Sequence, residues 1–327
     1  MGIRVLTAFF GLCTPHALPA YVSICSHDFQ RVQRCAKIVI SAYVDEVPTM
    51  QAKMKRCLLG AAFGASLVVT SCQTVQTTRG GVVGVDRPQQ MSVFTPSAAE
   101  VAATARQQYL QVTQVAAQKG ALNRDPMQTA RVQRIAQRLI PHTAVFRDDA
   151  VHWQWQVNVL TSNEVNAWCM PGGKIAVYTG LIQQLKITDD ELATVLGHEI
   201  AHALREHVRE GMGRQQATAV GTAVGSAVLE YFTGVNPGEL GHTFTQAMFV
   251  LPHSRENEQE ADRIGVELAA RAGYDPRAAV SLWQKMAASG GGQPPQWLST
   301  HPAHATRIRD LQDYAQRVLP LYETAEK

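Results

Sequence analysis

Two histidines stand four residues apart in GHEIAHAL, residues 197–204, and a glutamate directly follows the first. On a helix, residues four apart share a face, so His198 and His202 can offer two imidazoles to one metal ion. Zinc suits such a pair, because it accepts neutral imidazole and forms sites with three protein ligands and one water. Glu199 lies one residue round the helix, within reach of that water without binding the metal. A zinc-held water loses its proton near neutrality, and a carboxylate placed there can take it as hydroxide attacks a carbonyl. The pattern is short, and three polar residues also share a surface helix by coincidence.

A site of this kind needs a third protein ligand, often a carboxylate from another helix. SRENEQEADRIG, residues 254–265, offers Glu258 and Asp262, again four apart and on one face. One can bind the metal while the other holds a ligand histidine through its second ring nitrogen. Glu256 and Glu260 read as a solvated acidic face. Ile264, Gly265 and Val266 put part of this helix in a core, where a buried carboxylate needs a partner.

The elements that must position these residues leave clear marks. Thr188-Asp-Asp-Glu191 is a capping box, and Leu192, Leu196, Ile200 and Leu204 form a buried stripe along the helix that carries the histidines. Ser97 and Glu100 open a helix that runs to about Lys119, and Asp125-Pro126 opens another carrying Val132, Ile135 and Leu139. A further helix over 255–272 closes at Gly273. Residues 151–160, VHWQWQVNVL, alternate as a half-buried strand. Residues 166–182 read as strand, Pro171-Gly172-Gly173 turn and strand, which makes a small antiparallel sheet. The Ala/Gly/Val-rich stretch 216–233 reads as a packed helix.

HEIAH, then SRENEQEAD with its Glu258 56 residues beyond His202, preceded by NAWCMPGGKIAVYTGL, resembles the HtpX/Oma-type gluzincin metallopeptidase family over about residues 97–320. The likeness is strongest to its periplasmic lipoprotein members. It implies an α+β, mainly helical zincin domain with a small antiparallel sheet. It also implies one zinc ion held by His198, His202 and Glu258, with Glu199 as general base and Asp262 behind the ligands. By the same resemblance Asn166, Ala167, Gly172, Gly173 and Ile175 form a strand region that pairs with an extended substrate through main-chain hydrogen bonds. STHPAHATRIRDL, residues 299–311, matches a C-terminal family element: His301 and Arg307 are candidates to stabilise an oxyanion, or His301 to fill zinc's open position in a latent state. His207, His242, His253 and His304 read as structural or surface residues.

The chain has 327 residues, 46% hydrophobic and 17% charged, as in a soluble globular protein. Residues 1–71 carry seven Lys/Arg against three Asp/Glu, whereas 72–327 carry 23 against 24. The folding part is therefore near neutral, which argues against nucleic acid as a partner. MKRCLLGAAFGASLVVTSC, residues 54–72, has the three-part layout of a secretory signal, and its ending resembles a bacterial lipobox with Cys72 as the lipidated residue. Gln73 after that cysteine resembles the outer-membrane sorting pattern. The expected organisation is an upstream extension over 1–49 with the true start at Met50 or Met54, a signal peptide over 50–71, a flexible tether over 72–96 and a peptidase domain over 97–327. After removal of the leader, Cys169 is the remaining thiol, so no disulfide framework is expected. The whole reads as an outer-membrane lipoprotein facing the periplasm, a zinc endopeptidase acting on unfolded or misassembled envelope proteins. The second reading is a metal-dependent assembly factor with latent peptidase activity.

Overall fold

The computed structural model describes residues 73–92, 95–223, 243–289, 296–302 and 306–326. The extension, the signal peptide, Cys72, His242, His304 and much of the 216–233 stretch lie outside the described residues. Strands β1 (Gln73–Val75) and β2 (Gln89–Met91) precede helices α1 (Ala98–Gln118) and α2 (Pro126–Leu139). Strands β3 (Gln156–Leu160), β4 (Ala167–Met170) and β5 (Lys174–Tyr178) follow, then α3 (Thr179–Leu185), α4 (Asp189–Leu204) and α5 (His207–Ala223). Helices α6 (Arg255–Arg271), α7 (Ala278–Ala288), α8 (Gln296–Thr300) and α9 (Arg307–Thr324) complete the described part.

The helix starts have the chemistry their sequences announce. Ser97 and Thr188 make reciprocal capping boxes with Glu100 and Glu191, and Asp125 caps α2 ahead of Pro126 at its first turn. Helix α4 is the axis of the main core. Its stripe residues Leu192, Leu196, Ile200 and Leu204 are fully buried, and so is every residue from Glu191 to Leu204. It lies between β4, α6, α2 and α7, and its most extensive contact is with α6. That contact has a specific cause. A Cβ on Gly197 would stand 2.6 Å from the Gly265 carbonyl oxygen, and one on Gly265 would stand 2.6 Å from the His198 amide nitrogen. The two backbones touch at this crossing, which only glycine on both sides allows.

The sheet order is β3–β5–β4. The hairpin of β4 and β5 is antiparallel, with Ala167 opposite Val177, as the Pro-Gly-Gly turn implies. Strand β3 departs from the expected antiparallel sheet: it joins β5 in parallel, Gln156 opposite Lys174. The reason is order. Strand β4 takes the outer position, and β5 inserts between it and β3, so two strands of the same sense become neighbours. The strand also starts later than the alternation suggests. Residues Asp148–His152 form a 3-10 turn. That turn accepts the indole N–H groups, Trp153 on Asp149 Oδ2 at 3.1 Å and Trp155 on the Ala150 carbonyl at 2.8 Å. The tryptophans thus obey their need for acceptors, and not the strand period.

Strand β4 is buried along its whole length because each face meets a different core. Ala167 and Cys169 face the main one; Trp168 and Met170 join Val101, Tyr109, Val208 and Phe244 in a second. Residues 73–91 correct the expectation of a flexible tether over 72–96. Strands β1 and β2 pair antiparallel, and Val83 and Val85 are each 1% exposed within the main core. Gln89 is fully buried, donating through Nε2 to the Arg205 carbonyl at the end of α4.

Gly265→Ala places a methyl against backbone that cannot yield without separating α4 from α6. It should lower stability by about 1–3 kcal/mol, read as an earlier urea midpoint with an unchanged slope, whereas Gly120→Ala, at a helix end facing open space, acts only through its left-handed backbone.

Candidate metal centre

Helix α4 presents His198 and His202 on one face, with ring centroids 4.7 Å apart. Helix α6 brings Glu258 opposite them, its Oε1 3.3 Å from His202 Nε2 and its Oε2 3.7 Å from His198 Nε2. His301, just after α8, completes the group. One ligand atom from each of these four buried residues lies within 4.8 Å of every other. Three features of the protein itself fit a metal ion. Glu258 Oε1 and His301 Nε2 are buried without a hydrogen-bond partner. The two α4 imidazoles aim their Nε2 atoms at each other across 3.0 Å. Two ligand atoms on a tetrahedral zinc stand about 3.3 Å apart, close to that spacing. An N, N, N, O donor set of this kind suits zinc.

Behind the ligands, Asp262 Oδ1 lies 3.0 Å from His198 Nδ1. Since a carboxylate only accepts, His198 carries its proton on Nδ1 and keeps a lone pair on Nε2. Arg307 holds two carboxylates of α6, Glu258 and Asp262. Its Nε and Nη2 donate to Asp262 at 2.6 and 2.7 Å, and its Nη1 donates to Glu258 Oε2 at 2.7 Å. The guanidinium lies 3.7 Å from the centre of the Trp283 ring. Four of its five N–H groups go to these partners and to the Pro302 carbonyl, and it does not line the cleft over the cluster. Arg307, expected as an oxyanion candidate, is here bound to the two carboxylates beside the histidines. Burial alone would raise the Glu258 carboxyl, but His301, Arg307 and the neighbouring imidazoles outweigh it and hold it at about 2.

Glu199 sits beside the cluster, its Oε1 accepting from Trp297 Nε1 at 2.7 Å. Burial pushes this carboxyl up to about 7, although His198 and the Trp297 N–H pull it down. His301 stacks on Trp297 at 4.6 Å and puts Nδ1 3.0 Å from the Trp297 carbonyl and Nε2 3.5 Å from Glu199 Oε1. Thr300 Oγ1 lies at the same 3.0 Å from Nδ1; with the Nδ1 proton given to the Trp297 carbonyl, Nε2 points its lone pair into the cluster. In that tautomer His301 has no N–H to offer an oxyanion. Sequence reasoning missed Trp297; its lone signal was an aromatic four residues before His301, one helical turn away.

The far side of His202 holds further residues that sequence alone left on the surface. Glu260 is 4% exposed and not part of a solvated face. It accepts from Arg205 Nε at 2.9 Å and Arg87 Nε at 2.5 Å, and it lies 3.0 Å from His207 Nε2. His207 Nδ1 in turn lies 2.9 Å from His202 Nδ1. His253 is half-buried with its ring 4.1 Å from that of His202, and desolvation pushes it down to about 4, so it is neutral. It stands directly before Ser254, the cap of the ligand helix, which is the signal that placed it there.

A cleft of about 370 Å³ opens over Glu199, His202 and His301. Strand β4, at the sheet edge, supplies Ala167, Trp168 and Cys169 to its wall, and Asn166 lies at its start. Gly172, Gly173 and Ile175, expected in the substrate strand, are elsewhere. Ile175 is fully buried on the central strand β5. Gly172 and Gly173 make the hairpin turn at φ +80° and +79°, Gly173 packed under the Trp155 ring. Of the two edge strands of this sheet, β4 is the one that lines the cleft, and β5 is flanked on both sides.

The model of peptidase family M48 matches residues 126–315. The chain is 43% identical over 157 residues to a mitochondrial metalloendopeptidase of Arabidopsis thaliana, covering 48% of this chain and 31% of that one. It is 34% identical over 175 residues to a mitochondrial metalloendopeptidase of Schizosaccharomyces pombe, covering 53% and 50%. It is 29% identical over 204 residues to the beta-barrel assembly-enhancing protease of Escherichia coli, covering 60% and 41%. The alignments thus span half or less of the length of these relatives.

The raised Glu199 carboxyl has a stability consequence. An unfolded glutamate titrates near about 4.3, and the folded one near 7. The stability it contributes is fully present below the unfolded value and is lost as pH rises through about 7. Glu199→Gln, which mimics the protonated acid and still accepts from Trp297, should raise the Tm of metal-free protein at pH 8 by several degrees. At pH 5 the difference should shrink towards zero; an equal shift at both pH values would contradict the assignment.

Proposed function

The chain belongs to peptidase family M48, and on that premise we propose that it is a zinc-dependent metalloendopeptidase of the bacterial envelope. The observation that carries the reading is a buried carboxylate, Glu199, held at the mouth of a cleft beside a His198–His202–Glu258–His301 donor set. His198, His202 and Glu258 are the residues that would hold zinc. When bound, zinc would supply Lewis acidity and a water acidic enough to ionise near neutral pH.

The remaining work falls to the chain itself. Trp297 occupies Oε1 of Glu199, leaving Oε2 to take the proton of the attacking water and return it to the departing amine. Burial helps, because a base poised near neutrality both accepts and releases that proton. Asp262 and Arg307 keep His198 and Glu258 oriented. The edge strand β4 binds the substrate backbone in an extended form, as strand addition to a sheet requires. Only an unfolded or loosened segment can take that shape. Trp168, Met248 and Phe249 in the same wall favour an apolar side chain beside the bond to be cut.

The leader-like segment 54–72, with Cys72 as lipid attachment point, supports an envelope location. So does the similarity to the beta-barrel assembly-enhancing proteases, whose name ties them to the assembly of beta-barrels; on that likeness the substrate class proposed here is misassembled envelope proteins. The lone pair of His301 favours a resting form in which this histidine joins the ligand set, to be displaced by substrate. Such a form would also serve an assembly factor with latent peptidase activity.

Glu199→Gln should lower kcat/KM on unfolded casein by at least about 10²-fold while zinc stays stoichiometric in the purified protein. Casein cleavage undiminished in this variant, or wild-type protein that takes up no zinc, would sink the reading.

A further inference from the structure

The two α4 histidines are supported in different ways, and the difference assigns a role to residues outside the ligand set. His198 meets a carboxylate directly, through Asp262. His202 does not. Its Nδ1 faces a second imidazole, His207, and only beyond that ring does a carboxylate, Glu260, appear.

The protons along this line are dictated by its far end. Glu260, clamped between Arg205 and Arg87, can only accept, so His207 Nε2 must carry the proton that faces it. A neutral His207 then has a bare Nδ1, which can only accept from His202. His202 Nδ1 therefore donates, and its Nε2 is left with a lone pair directed at the metal cluster. The opposite order would leave two lone pairs facing each other at 3.0 Å between His207 and Glu260. It would also put a proton on the nitrogen that must bind a cation.

The backbone makes the line possible. Residues five apart do not share a face on a continuous helix. Helix α4 stops at Arg205, and Glu206 takes a left-handed conformation, φ 52°, before α5 begins at His207. Arg147 and Arg209 hold the Glu206 carboxylate at 2.7 Å each. The turn folds His207 back beneath His202, and Arg205 and His207, on either side of it, both reach Glu260.

We infer that His207 and Glu260, secured by Arg205 and by Arg87 of the N-terminal segment, are positioning residues that set the tautomer of the metal ligand His202. Arg87 lies ahead of residues 126–315, the part matched by the family model. The N-terminal segment thereby belongs to the metal centre. The inference rests on the proposed zinc site.

Zinc affinity, measured by competition with a chromophoric chelator on full-length protein, tests it without reference to activity. His207→Phe keeps the ring and removes both nitrogens; it should weaken zinc binding about 10–100-fold. His207→Gln offers an oxygen to His202 and an N–H to Glu260, and should recover most of that loss. Wild-type affinity in His207→Phe, or no recovery in His207→Gln, overturns the inference. If either variant does not fold, imidazole nitrogen NMR of zinc-loaded wild type decides. Protons on His202 Nδ1 and His207 Nε2 support the line, and the reverse pair overturns it. A wild type that binds no zinc would overturn the functional reading as well, whereas zinc binding indifferent to His207 removes this inference alone.

Discussion

Backbone contact between α4 and α6 at Gly197 and Gly265 is the constraint from which the rest of the structure follows. A side chain at either position would force the helices apart, since the opposing atoms are carbonyl oxygen and amide nitrogen and not flexible side-chain ends. The crossing falls one residue from His198. Three residues before Gly265, Asp262 reaches His198 Nδ1; two residues before Asp262 the helix places Glu260, and one turn before it Glu258 against both imidazoles. A donor set assembled from two helices needs the distance between them defined to a fraction of an ångström, and touching backbones define it better than packed side chains do.

Close approach has an electrostatic cost. It buries Glu258, Glu260 and Asp262 of α6, and carboxylates taken out of water are destabilising unless paired. Each is met by arginine: Glu258 and Asp262 by Arg307, Glu260 by Arg205 and Arg87. The cations stand behind the ligands and away from the cleft. They therefore keep Glu258 and Glu260 ionised without occupying the positions aimed at the cluster. Glu199 is the exception. It is buried with an indole N–H as its close partner and no arginine, which is why burial raises its carboxyl while Glu258 is lowered.

Much of the local structure was legible because its causes are local. Capping boxes at Ser97 and Thr188, the aliphatic stripe of α4 and the Pro-Gly-Gly hairpin involve residues within a few positions of each other. The errors share the opposite property. Strand β3 reads as antiparallel until β5 inserts beside it. Residues 73–91 show no periodicity, yet Val83, Val85 and Gln89 find buried partners far along the chain. Glu260 looks solvated by its acidic neighbours, and its burial depends on arginines 55 and 173 residues away.

The histidine–glutamate pattern on α4, the paired carboxylates on α6 and the type of metal they suit were determined by residue identity and helical spacing, because a helix face is a local property. Which nitrogen of each histidine is free, which oxygen of Glu199 is taken by Trp297, and that Arg307 serves the ligands instead of the cleft were decided by tertiary structure. Hydrogen bonding assigns protons and lone pairs only when both partners are in place, and here the partners come from separate helices and from the N-terminal segment.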